Sequence, residues 1–358
     1  MEYYVTLYIL YFFIGLTEIN KKGKSLGFLC FICLVPLFVL TAFRDFSVGN
    51  DTMPYYNTYL SIHMLYDLKQ ALLYSRMEPG YIFLNYLFSS FNIQYIYMQI
   101  FISAFIYYSL FRFLRKYSLN IGLSCMVYLG MRMFCGPMNV VRMWIALAIL
   151  LYALDYFLSR EKYLANSLVV LATMFHYSAL IFLFLNFIYK IKIKKKYIAV
   201  LMFSSLGIAV MGNTFFEVLT NSLGIYQGYL NSKYFNYDDN IAVYITLLID
   251  ICLVGLFYFL TRGKPFVDSR DISVFVYLVI ISMCLDTIGL TNTIMSRISG
   301  YFYISWMVLL PLAVNHIRNG EKKLFIYSCL AIGFFLQFLV IMIYRPQWYG
   351  VVPYTWYF

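Results

Sequence analysis

Apolar runs separated by short polar segments divide the chain from end to end. They lie near residues 3–19, 26–43, 95–113, 119–134, 140–158, 162–175, 177–191, 197–213, 243–261, 272–289, 297–315 and 324–343. In hydrocarbon the backbone amides of such runs must bond internally, so the pattern predicts helices. The short alternating segments of a membrane β-barrel are absent. The expected fold is therefore all-α, a polytopic bundle of about twelve spans, although the pair 162–191 admits another division. Residues 80–92 are apolar but too few to cross a bilayer. They predict a half-helix or surface-lying helix within a long outer loop, 44–94, between the second and third spans.

Composition agrees with the pattern and removes other classes. Of 358 residues, 63% are hydrophobic and 12% charged, about half the charged fraction of a soluble domain, which is roughly 25%; mean hydropathy is +0.75. There is no low-complexity linker and no separate soluble domain, so residues 1–358 read as a single integral membrane domain. Glu2 stands where a signal peptide would be basic, so the first run is expected to remain as a helix. Cys30 and Cys33 have C-x-x-C spacing but sit inside an apolar run without a second ligand pair, so the seven cysteines read as packing residues.

Charge sets the orientation. Segments 20–25, 112–118, 159–163, 190–197, 262–271 and 315–323 carry 19 of the 27 Lys and Arg, all on one side of the layout. Cytoplasmic segments attract such residues. Both termini then lie outside, together with the loops 44–94 and 213–243 and the tail 344–358. The net charge of +11 describes a basic cytoplasmic rim, and no nucleic-acid partner is expected.

Eight basic residues remain on the outer side: Arg44, Lys69, Arg76, Arg132, Arg142, Lys233, Arg297 and Arg345. Near a span, an outward cation calls for a reason such as an anionic ligand; Lys69, Arg76 and Lys233 fit solvated loops. Arg44 stands where the second helix emerges, placed for a lipid phosphate. Gly49-Asn50-Asp51 is turn chemistry, and Asp51-Thr52 suits the cap of a helix beginning near Pro54. Glu78 precedes Pro79-Gly80, where it either complements the half-helix dipole or serves as a general base. Pro137 starts the fifth helix, with Asn139 and Arg142 three apart on one face. No acid lies near Arg142 in sequence, so a ligand or a distant ion pair must answer it. His176, at the turn between the sixth and seventh runs, is either a packing residue or a group that titrates near neutrality. Arg297 and Tyr301 mark the outer start of the eleventh run, and Arg345 opens an aromatic tail expected to be mobile. Within spans, Asp250 is the strongest sign of a transporter, Asp286 is placed to pair with an arginine, and Asp155 is near enough the inner end to be solvated. No phosphate loop, nucleophile elbow or metal-ligand cluster is found, so no cofactor and no metal is expected.

The ordered set Arg44…Gly49-Asn50-Asp51…Tyr55, Glu78-Pro79-Gly80-Tyr81, Met138-Asn139…Arg142…Ala146, His176-Tyr177-Ser178-Ala179 and Arg297…Tyr301 resembles the EpsG-type branch of the Wzy polysaccharide polymerases, over nearly the whole chain. Two positions depart from the family pattern: Asn50 stands where Thr is common, and Met143 where Gln is frequent. The resemblance implies glycosyl transfer between polyprenyl-diphosphate-linked oligosaccharides, which serve as donor and acceptor, on the outer face of a bacterial inner membrane. Membrane lipid, a chain-length regulator and other polysaccharide-assembly proteins are the further partners it implies. On this reading Arg142, His176 and Glu78 are catalytic, while Arg44, Asp51, Asn139, Arg297, Tyr301 and Arg345 bind substrate. Arg142 and Arg297 would clamp the diphosphate with Arg44 assisting, and Glu78 or His176 would take the acceptor's proton. A flippase for the same lipid-linked sugars and a ligase-like glycosyltransferase are the alternatives.

Overall fold

The structure is a computed structural model that describes residues 1–19, 27–65, 67–75, 77–188, 195–211, 214, 217–218, 221–222, 241–263, 269–291 and 293–358. Arg76, Lys233, the lysines of segment 20–25 and most of the loop 213–243 lie outside the described residues. Within them the regular elements are helices, and helix occupies each of the twelve apolar runs. Six helical stretches are long and apolar enough to cross a membrane: Tyr95–Tyr117, Val141–Leu158, Val243–Thr261, Asp271–Gly289, Ile294–Asn315 and Gly320–Tyr344. A seventh is added if Ile121–Gly130 and Met133–Asn139, bent by 69°, count as one span.

Contacts gather into two compact units. The first comprises Met1–Asn186 and Ile317–Phe358, and the second Phe187–His316. The first contains α1 (Glu2–Glu18), α2 (Gly27–Ala42), α3 (Thr52–His63), α4 (Leu68–Tyr74), α5 (Pro79–Ser90), α6 (Tyr95–Tyr117), α7 (Ile121–Gly130), α8 (Gly136–Asn139), α9 (Val141–Leu158) and α10 (Lys162–Thr173). A 3-10 helix, Tyr177–Phe184, follows α10. In the second unit lie α12 (Lys195–Met211), α13 (Ile241–Thr261), α14 (Arg270–Gly289), α15 (Thr293–Ser299) and α16 (Trp306–Asn315), preceded at the unit boundary by α11 (Leu185–Ile188). The last helix, α17 (Gly320–Tyr344), returns to the first. The half-helix expected at 80–92 is α5, begun by Pro79.

In the first unit α1 packs on α7, α2 on α6, and α9 on α6 and α10. Buried polar groups set these contacts. Glu18, 1% exposed, accepts from the amides of Ile121 and Gly122 at 2.7 and 3.3 Å, satisfying the open N-terminus of α7. Asn120 caps the same helix through the Leu123 amide at 2.8 Å and donates to the Gly15 carbonyl at 2.9 Å. The expected straight span 119–134 is interrupted. α7 stops at Gly130, and Arg132 takes a left-handed conformation, φ 61°, that no helix continues through.

The intramembrane acids differ from expectation. Asp155 is buried, not solvated. Arg112 bonds it, with Lys116 Nζ at 2.8 Å and Tyr117 Oη at 2.6 Å, so two cations counted in the basic rim serve this carboxylate. Asp286 meets hydroxyls where an arginine was expected: Ser299 Oγ donates at 2.7 Å and Tyr303 Oη at 2.6 Å. In α13, Asp250 is buried and accepts from Trp306 Nε1 at 3.1 Å.

The tail is docked, against the expectation of mobility. The amides of Asp45 and Tyr357 bond the carbonyls of Thr355 and Phe43 at 3.1 and 3.0 Å. The Gly49 amide bonds the Gly350 carbonyl at 2.8 Å. Arg44 and Trp356 form an isolated antiparallel bridge, and Val351 is fully buried.

Candidate functional site

The site is built in the first unit from three chain turns. One is the start of α5. Glu78 is extended (φ −66°, ψ 145°), because a residue before proline is excluded from the helical region, and Pro79 opens the helix. The Gly80 amide donates to the Met174 carbonyl at 2.7 Å. A Cβ on Gly80 would lie 2.8 Å from that oxygen, so only glycine lets the two segments touch. The second turn is the one so reached. α10 ends at Thr173, His176 is extended (φ −158°, ψ 116°), and its carbonyl takes the Ala179 amide at 3.0 Å.

The third turn separates α8 from α9. Val140 leaves the helical region (φ −89°, ψ 58°) and ends α8. Asn139 and Arg142 therefore do not share one helix face, contrary to the sequence expectation. Asn139 turns to structure instead: its Oδ1 accepts the Asn50 amide at 2.7 Å and its Nδ2 donates to the Cys135 carbonyl at 3.0 Å. Arg142 sits in the first turn of α9, where the helix dipole disfavours a cation.

The carboxylate of Glu78 joins these turns. It accepts from Arg142 Nη1 on one oxygen and lies 2.9 Å from His176 Nδ1 on the other. Its side chain is 4% exposed, while those of Arg142 and His176 are each 22% exposed. The acid thus stands behind, and the cation and the imidazole reach open space. Glu78 stands at the N-cap of α5 without a side-chain cap bond, so its carboxylate oxygens are turned to other partners. Burial pushes its carboxyl up, but the His176 hydrogen bond and the Arg142 charge outweigh that and hold it below the ordinary glutamate value. An ionised carboxylate only accepts, so His176 Nδ1 carries the hydrogen, and Nε2 is the nitrogen able to take a proton. Tyr55 completes the wall. Its ring centroid is 5.8 Å from the Arg142 guanidinium carbon and 5.4 Å from the Tyr81 ring.

The sequence placed Glu78, Arg142 and His176 in one list of candidates, and the structure brings those three together. The partner that Arg142 required is Glu78, 64 residues away.

The other candidates are placed differently. Arg44 does not emerge toward lipid. It is 1% exposed, donates to the Thr41 carbonyl, and its Nε lies 3.4 Å from Thr52 Oγ1. Asp51 occupies the cap position of α3 without a side-chain cap bond. Instead Thr52 Oγ1 lies 2.7 Å from the Val48 carbonyl and 3.0 Å from that of Met138. Gly49, at φ +92°, takes the left-handed turn expected of it. Arg345 is exposed, 5.8 Å from the Trp348 ring centroid. In the second unit Arg297 is exposed on the last turn of α15 and Tyr301 is fully buried. Reading by sequence passed over Tyr55 as a wall of the site and Glu18 as a cap; the four-residue step from Asp51 to Tyr55 was the available signal for the first. Among the described residues no group of three or more His, Cys, Asp or Glu side chains is placed to hold a metal ion.

No curated protein and no solved structure matches the chain. A family model does: the model of the EpsG family matches residues 27–356, across all three turns of the site. This is a multi-pass membrane protein of the kind associated with polysaccharide polymerisation, and it belongs to the EpsG family.

Proposed function

We propose that the protein polymerises oligosaccharide repeat units carried on polyprenyl diphosphate, on the outer face of a bacterial inner membrane, in the twelve-span layout with both termini outside. The observation that carries this reading is the Glu78 carboxylate joined to both Arg142 and His176, whose side chains alone of the three reach open space.

In the reaction an acceptor sugar hydroxyl attacks the anomeric carbon of the donor. A glycosidic C–O bond forms, the C–O bond to the diphosphate breaks, and the diphosphate leaves with the electron pair. Negative charge therefore grows on the leaving group, and a guanidinium in a low-dielectric setting stabilises it where the charge develops. Arg142 is assigned that role. His176 Nε2 takes the proton of the attacking hydroxyl, while Glu78 holds the imidazole tautomer and aims the guanidinium. Glu78 is thus a positioning residue, and the choice of base between Glu78 and His176 falls to the histidine. Arg297 is a further substrate-binding cation on the strength of the resemblance alone. Donor and acceptor are both lipid-linked oligosaccharides, and a chain-length regulator is a proposed partner.

Reconstitution with one defined lipid-linked repeat unit tests this, with products sized on a gel. Wild type is expected to give a ladder, and Arg142→Ala to slow its formation by about 100- to 1,000-fold, the range seen when one charge-stabilising donor is removed. Unchanged substrate crossing the bilayer without a ladder would support a flippase instead. An intact ladder from Arg142→Ala would remove Arg142 from the mechanism.

A further inference from the structure

A cavity in the first unit is lined by none of Glu78, Arg142 and His176. Its volume is about 510 Å³, and its walls include Phe46, Tyr56, Tyr59, His63, Gln94 and Tyr357. That is within the range of small-ligand sites, roughly 300–1,000 Å³. Among the described residues, no Lys, Arg, Asp or Glu lines it. The aromatics hold one another: Phe46 stacks on Tyr56 at 4.5 Å, meets Tyr357 at 5.2 Å, and Tyr59 meets Tyr95 at 5.5 Å. His63 Nδ1 lies 3.2 Å from the Ser89 carbonyl. A carbonyl only accepts, so that nitrogen carries the hydrogen and Nε2 is the acceptor.

We propose that this cavity is a saccharide subsite that holds the uncharged glycan of the substrate. Pyranose rings present apolar C–H faces to aromatic side chains and a rim of hydroxyls to neutral donors and acceptors, and the lining supplies both. Its lack of charge separates it from the Arg142 site, where a diphosphate is expected. The helix α3 connects them. Tyr55, near its N-terminal end, stands against Arg142, and Tyr56, Tyr59, Leu60 and His63 run toward its C-terminal end along the cavity. Its 12 residues span about 18 Å at 1.5 Å each, a length suited to a short oligosaccharide. The assignment rests on the polymerase reading for the identity of the glycan's carrier, and on the cavity alone for its affinity for sugar.

The test is an array of lipid-free neutral oligosaccharides of glucose, galactose and N-acetylhexosamines, probed with the full-length protein in lipid nanodiscs. Wild type and Lys69→Ala, an exposed charge on α4 outside the cavity lining, are expected to bind the same glycans. Leu60→Trp, which fills the cavity from a partly exposed position, and Gln94→Ala, at an exposed one, are expected to bind about tenfold more weakly. Wild-type binding in both cavity variants, or no glycan retained by wild type, would overturn the subsite. Failure of the ladder assay with glycan binding intact would instead remove the polymerase reading and leave the subsite standing.

Discussion

Replacing Glu78 by glutamine keeps the side chain's shape and removes the charge that Arg142 and His176 share. The loss leaves a half-buried guanidinium without its counter-ion, which costs about 1–3 kcal/mol, and frees the imidazole to adopt either tautomer. Polymer formation is expected to fall about a hundredfold, a typical share for positioned proton transfer. The pH dependence follows from the sign of the shift. The Glu78 pKa is held below its ordinary value, which is about 4.3 in an unfolded chain. Its stabilisation is therefore complete above that value and lost as pH falls through the lower folded-state value. The gap in melting temperature between wild type and Glu78→Gln should still be open at about pH 5 and close only in stronger acid. A gap already closed at about pH 5 would show the carboxylate is not ionised as the geometry requires. In the sequence each of the three residues stands out alone, as an acid before proline, an arginine inside an apolar helix and a histidine at a turn. Their union was not legible, because pairings across 64 and 98 residues leave no trace in local spacing.

The helices themselves were legible, because hydropathy marks where a chain can bury its backbone, and α9 and α14 begin and end within about two residues of the runs that predicted them. Their interruptions were not. Arg132 and Val140 break the chain at the edges of two apolar runs, where hydropathy does not say which residue turns, and Asn139 was misplaced because the helix was expected to start at Pro137 and run through Val140. Gly80 is an interruption of another kind, and it sets two rules against each other. Helix propensity favours Gly80→Ala in α5 by up to about 1 kcal/mol. Packing opposes it, since the new Cβ would meet the backbone oxygen of Met174, which cannot turn aside. Packing should win, lifting α5 from the 174–176 turn and stretching the 2.9 Å Glu78–His176 contact. The expected result is a melting temperature no higher than wild type and a ladder at least about tenfold slower to form. A more stable protein with normal activity would mean that the two turns need not touch.

At the scale of the whole molecule the strongest sequence signal is the gathering of 19 of 27 basic residues on one side of the proposed layout, and it is the basis of the proposed sidedness. The helix α17 gives the cleanest way to read it. It is 25 residues long, about 37 Å at 1.5 Å per residue, long enough to cross hydrocarbon of about 30 Å once, with its two ends then on opposite faces. Gly320, at its start, follows Arg318 and has open space where a side chain would grow. Phe358, beyond its end, is 87% exposed. Single substitutions Gly320→Cys and Phe358→Cys therefore perturb little and report on opposite faces. The native cysteines lie in helices or at the break beside α8, five of them at least partly buried, so wild type supplies the background. In intact cells whose outer envelope has been opened, a membrane-impermeant maleimide should label Phe358→Cys and spare Gly320→Cys until the inner membrane is lysed. The positive-inside bias makes that order the expected one. The reverse order would place the C-terminus inside and, in the proposed twelve-span layout, the N-terminus with it, which would overturn the proposed sidedness of the layout.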